Sequence, residues 1–204
     1  GKQGTNEGYG LYFTDKKSIA QGYYKEGGSL KEGFVDIKKP LSTNSKEITK
    51  PQLSSLIKKF DPDGQGYLSN WGDVNYEGYN NVLKKAVDAE FSGSTNDVDM
   101  ISGLINAQGK NPEKLYPILK ETLGYDGIIE KNPTWGNNGS PQTIRIAFSN
   151  DQFISKSQLT DIWNKANAGS KIDPLITEAK KYKSADEFVK AQGTPVYHGT
   201  NYAN

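Results

Sequence analysis

The feature that most constrains this chain is where its strand patterns fall. Short β-type runs stand at both ends, and helical periodicity fills most of the middle. Gly10 to Thr14 is an aromatic and apolar run, Phe34-Val35-Asp36-Ile37 alternates before Pro40, and further runs cover Tyr125 to Glu130 and Thr143 to Phe148. A last strand is expected around Val196 to Thr200. Strands so far apart in sequence must find one another to form a sheet, and helices segregated from a mostly antiparallel sheet make an α+β fold.

The helical patterns carry their own start and stop signals. Asp15 is placed to cap a helix running through Ser18, Ala20 and Tyr23. Thr49 caps a second, with Pro51 in its first turn and Leu53, Leu56, Ile57 and Phe60 on its apolar face. Periodicity predicts further helices over Tyr79 to Phe91, Asn96 to Asn106 and Pro112 to Leu123, the last stopped by Gly124. Helices are also expected over Gln158 to Asn167 and Pro174 to Tyr182, and Ser184-Ala185-Asp186-Glu187 has capping-box spacing. The loop Asn132 to Ser140 is rich in turn formers. No internal repeat interrupts this order.

Composition narrows the function. At 204 residues the chain is long enough for an independent core, and 25 Lys+Arg against 24 Asp+Glu leave a net charge of +1. Nucleic acid is therefore not indicated by any global field. No apolar run approaches the roughly 20 residues that cross a bilayer, and there is no secretory h-region at Gly1-Lys2-Gln3-Gly4, so a cytoplasmic location is favoured and no membrane partner is expected. That start, without methionine, reads as processed or engineered. With no cysteine and one histidine, thiolate chemistry and zinc-hydrolase motifs are excluded. Asp61-Pro62-Asp63-Gly64-Gln65-Gly66 has part of a calcium-loop spacing, but Gly72 stands where the bidentate glutamate belongs, so it reads as a tight turn. Asp97 and Asp99 read as carboxylates at a helix start, and no metal is expected.

Four segments and one spaced tyrosine carry the chemistry. Val196-Tyr197-His198-Gly199-Thr200 sets the single histidine on a strand; Gly10-Leu11-Tyr12-Phe13-Thr14-Asp15 leads a strand into a helix; Tyr23 lies eleven positions after Tyr12; and Gly-Tyr-Asp-Gly-Ile-Ile at 124–129 precedes Ile-Arg-Ile-Ala-Phe-Ser-Asn-Asp-Gln at 144–152. Taken singly, each has a bland alternative: a surface histidine, or one chance pair among twelve tyrosines. Taken together they resemble the ADP-ribosyltransferase family. The helices between Thr49 and Leu123 carry no general family motif, and their style resembles the polyvalent-protein type found in phages and mobile elements.

The resemblance implies a mostly antiparallel split sheet in a single domain over 1–204, with a helical insertion at 49–123 and the histidine-bearing strand segment at 184–204. It implies NAD as substrate, with His198, Gly199, Thr200, Tyr12, Thr14 and Tyr23 around the nicotinamide nucleoside. It also implies an acceptor, a protein or another molecule, to which ADP-ribose is transferred. In the family the histidine strand comes first, so this chain reads as a circular permutation, or as a piece of a longer, tandem or swapped assembly.

One family element is missing. A glutamate at the start of a strand polarises the ribose and stabilises the cationic transition state, but anchoring on Ala147 to Gln152 places Ile144 at that position. Glu130, as easily read as a solvated strand end, and Gln142, as easily read as a loop residue, are the nearest substitutes. Two functions therefore stand beside each other: an NAD-dependent transferase, and a catalytically impaired NAD- or ADP-ribose-binding or interaction module.

Overall fold

The computed structural model describes residues 11–23, 28–106, 115–131, 141–168 and 174–200, excluding the side chains of Ile105, Asn106 and Thr200. These residues divide into two compact units, 12–36 with 141–200, and Leu11 with 37–131. The chain opens with β1 (Leu11–Thr14), α1 (Lys17–Gly22) and β2 (Ser29–Val35). The second unit follows as β3 (Pro40–Ser42), α2 (Lys50–Phe60), α3 (Val74–Glu77), α4 (Tyr79–Gly93), α5 (Asp97–Asn106), α6 (Leu115–Leu123) and β4 (Gly127–Lys131). The chain then completes the first unit with β5 (Thr143–Ala147), β6 (Phe153–Ser155), α7 (Lys156–Asn167), α8 (Pro174–Ala179), α9 (Ala185–Ala191) and β7 (Val196–Thr200). This is the α+β architecture expected. Gly10, the start of the helix predicted from Pro112 and the loop 132–140 lie outside the described residues.

In the first unit the strand order is β5-β1-β7-β2-β6. β7 pairs antiparallel with both β1 and β2, and β2 pairs antiparallel with β6. The histidine strand, last in the chain, is thus inserted in cis between two strands from the chain's beginning. Pleating puts Leu30, Glu32 and Phe34 on one face of β2 and Lys31, Gly33 and Val35 on the other. The first face is covered: Phe34 and Ile154 pack against a core of Leu159, Ala166, Ile176, Ala179, Phe188 and Val189 from α7, α8 and α9.

The opposite face curls. Phe13 on β1 and Phe153 on β6 lie three strands apart, a separation of ~14 Å in a flat sheet, yet their rings stack with centroids 5.0 Å apart. Gly33 makes room for this, since a Cβ there would lie 2.6 Å from the Phe153 ring. Any side chain at 33 would have to displace that ring.

The second unit is built on helices whose apolar faces were legible. Leu53, Leu56 and Ile57 of α2, Val82 and Ala86 of α4, Ile101 and Leu104 of α5, and Leu115 and Leu119 of α6 are all buried. Thr49 accepts from the Gln52 N–H while Gln52 accepts from the Thr49 N–H, a capping box. Gly124, at φ 76°, stops α6 in the left-handed conformation. β3 runs parallel to β4, with Leu41 opposite Ile128, and was not anticipated because three residues beginning with proline have no readable period. β6 was missed for the same shortness.

Two local readings are corrected. Asp15 does not cap α1; its carboxylate accepts the Thr143 N–H at 2.9 Å, and Lys16 is the N-cap without a side-chain bond. A strand contact 128 positions away has taken the oxygen that local geometry would have used. The Asp61 turn, by contrast, is the tight turn expected: its carboxylate accepts the N–H groups of Gly66 at 3.0 Å and Leu68 at 2.8 Å.

Candidate functional site

β7 is fixed by Val196, which is buried, and by its register to β2, where Lys31 stands opposite His198 and Leu30 opposite Gly199. His198 Nδ1 lies 2.7 Å from the Tyr12 carbonyl oxygen. A carbonyl can only accept, so Nδ1 carries the hydrogen and Nε2 presents a bare lone pair whenever the ring is neutral. Burial favours that neutral form and holds the imidazole below its ordinary proton affinity; the Tyr12 bond opposes the shift, and the positive charge of Lys31 adds to it. The ring is therefore a hydrogen-bond acceptor fixed in orientation by a backbone 186 positions away.

Phe13 tilts against His198 with ring centroids 5.4 Å apart. It lies within the segment quoted for its tyrosine and was passed over, although strand alternation separates it from Tyr12. Tyr12 contributes its carbonyl to the histidine, and pleating sends its side chain to the other side of β1. Among the described residues, Phe13 and Phe153 are thus aromatic groups on the histidine's face.

Thr14 belongs to the other side. Its hydroxyl donates to Gln142 Oε1 at 3.0 Å and accepts from the Lys16 N–H at 3.1 Å. Gln142 is a loop residue, as expected, but a buried one: it is 2% exposed, immediately before β5, and among the described residues its Nε2 has no hydrogen-bond partner. Consecutive residues of β1 alternate, so the Phe13–His198 contact and the Thr14–Gln142 bond lie on opposite faces. The remaining positions are more dispersed. Tyr23 closes α1, its N–H donating to the Ala20 carbonyl, with its side chain 52% exposed. Gly199 and Thr200 pair with Leu30 and Ser29, and the Thr200 side chain lies outside the described residues.

The carboxylate question is sharpened by burial. Ile144, where the glutamate was expected, is a core residue of β5. Glu130 belongs to β4 of the second unit and is buried, which corrects the reading of it as a solvated strand end. Burial of an acid is costly without compensating interactions, so its position is not that of a casual surface charge.

A family model described as ADP-Ribosyltransferase in polyvalent proteins matches residues 1–160. The chain belongs to this ADP-ribosyltransferase family. The matched stretch includes Tyr12, Thr14, Tyr23, Glu130 and Gln142 and stops before His198, which joins the same unit through the pairing of β7. No curated protein and no solved structure matches the chain. Among the described residues, no helix is long and apolar enough to cross a membrane.

Proposed function

We propose that the first unit binds NAD on the face of His198 and transfers its ADP-ribose group to an acceptor, a protein being the expected class. The observation that carries this reading is the bond from His198 Nδ1 to the Tyr12 carbonyl, which leaves Nε2 as an oriented acceptor for a ribose hydroxyl. Gly199 adds a backbone that a carboxamide can approach closely, with Thr200 beside it. Family membership supports the same chemistry. In that reaction the bond from the ribose C1′ to the nicotinamide nitrogen breaks, and its electron pair leaves with nicotinamide. The acceptor's lone pair forms the new bond to C1′, and its proton passes to solvent or a base. Tyr23, exposed at the end of α1, is the side chain proposed to stack on the nicotinamide, and Tyr12 and Thr14 support the site through β1.

A second reading is favoured by one observation of its own. The apolar Ile144 and the neutral Gln142, whose carbonyl is already used by Thr14, supply no carboxylate from the start of β5 itself, and the Asp15 carboxylate beside it is engaged by the Thr143 N–H. Without such a charge the oxocarbenium-like transition state loses a major stabiliser, while ligand binding survives. On this reading the unit holds NAD or ADP-ribose without rapid turnover. Calorimetry with NAD, followed by mass spectrometry for released nicotinamide, separates the two. Binding with turnover supports the transferase, binding alone supports the module, and no binding removes both. Replacing His198 by Ala should weaken NAD about tenfold, the loss of one hydrogen bond from a half-buried acceptor. Unchanged affinity in that variant would remove the histidine from the site.

A further inference from the structure

The register of β2 against β7 places one more group on the histidine's face. Lys31 is the direct cross-strand partner of His198, so both side chains leave the sheet on the same side. Glu32, the adjacent carboxylate on β2, is sent to the opposite face by pleating. Lys31 itself is half-buried, and among the described residues it has neither an ion pair nor a hydrogen bond from its ammonium group. A half-buried lysine is ordinarily matched by a carboxylate or left to extend into water. Its charge is also close enough to His198 to oppose protonation of the ring, an electrostatic sign that the two groups share one environment.

We infer that Lys31 is the anion-binding residue of this site, placing the diphosphate of a dinucleotide beside the ribose hydroxyl that His198 accepts. The inference rests on the NAD reading above and names which part of the ligand this chain grips by charge. An ammonium group is a compact donor of three hydrogen bonds and suits a phosphate without demanding bidentate geometry. The neighbouring Phe13 and Phe153 offer only apolar surface, and on this face the positive charge of Lys31 is what would select a phosphorylated nucleoside over a bare one.

The test compares NAD with nicotinamide riboside, which lacks phosphate, in the wild-type chain and in Lys31→Met and Lys31→Arg. Calorimetry and NMR titration give the affinities, and circular dichroism verifies folding. Lys31→Met should weaken NAD about tenfold while leaving the riboside unchanged, and Lys31→Arg should restore NAD to within a few-fold of wild type. NAD affinity unaltered by Lys31→Met overturns the assignment. So does an equal loss for both ligands, which would mean that Lys31 acts through the strand and not on phosphate. If the wild-type chain binds neither ligand, the NAD reading fails first and the lysine assignment falls with it, an outcome distinct from a mutant indistinguishable from wild type.

Discussion

Asp97 in the second unit and His198 in the first are both polar side chains drawn away from water, but they are used in opposite ways. Asp97 is fully buried at the start of α5, and its carboxylate accepts the N–H groups of Glu47 and Ile48 at 2.9 to 3.1 Å. Its own N–H donates to the Ser45 carbonyl at 2.8 Å. Every one of these contacts ties the loop 43–48 to a helix end. His198 has one nitrogen tied to backbone and the other left as an acceptor, beside a lysine that among the described residues has no ion pair. A buried polar group whose capacity is consumed by backbone is a structural fastening; one that keeps capacity in reserve on a sheet face is available to a ligand.

The strongest way to break this contrast is Asp97→Ala. It orphans two backbone donors, at about 1–3 kcal/mol each, so urea denaturation should show a loss of roughly 3 kcal/mol. NAD affinity of the remaining folded protein should not change. A loss of NAD affinity at full folding would show that Asp97 is more than a fastening.

The Thr14–Gln142 bond lies between the two cases, with the amide oxygen used and the amide nitrogen without a partner among the described residues. Thr14→Val, Gln142→Leu and the double variant form a thermodynamic cycle, and a coupling of about 1 kcal/mol is expected for a buried neutral bond. The double variant should be more stable than the sum of the single losses, because it removes both partners. A coupling near zero would move Gln142 from the structural class to the ligand-serving class.

The smallest effect is the pH response of His198. Burial lowers its proton affinity in the folded chain, so below about pH 6.5, the unfolded value, the unfolded chain binds more protons than the folded one. Stability from this group is complete above that pH and declines as pH falls towards the lowered folded value. NAD affinity should decline further down the same scale, when Nε2 itself is protonated. An NMR titration of the imidazole placing its midpoint above the ordinary histidine range would contradict the fixed, neutral acceptor.

The two units also differ in how far residues announced them. In the second, Thr49 capping α2 with Pro51 in its first turn, the apolar stripe of α2 and Gly124 after α6 are local signals, each decided within a few residues, and each stands as read. In the first, β7 and β1 were legible as strands, but Asp15 was misread because Thr143 competes for its carboxylate. Gln142 was read correctly as a loop residue, but nothing nearby reveals that it is buried with its amide oxygen bonded to Thr14. Phe153 was invisible as a site neighbour because only the curl of the sheet brings it to Phe13.

By itself, then, the order of residues determined the helices and the longer strands, the Thr49 cap and the family's signature segments, since these follow from periodicity and from hydrogen bonds only a few positions long. Tertiary structure decided which side of β1 each signature residue serves. A strand's two faces are separated by one residue, and only a register joining positions as distant as Tyr12 and His198 fixes which face meets which partner.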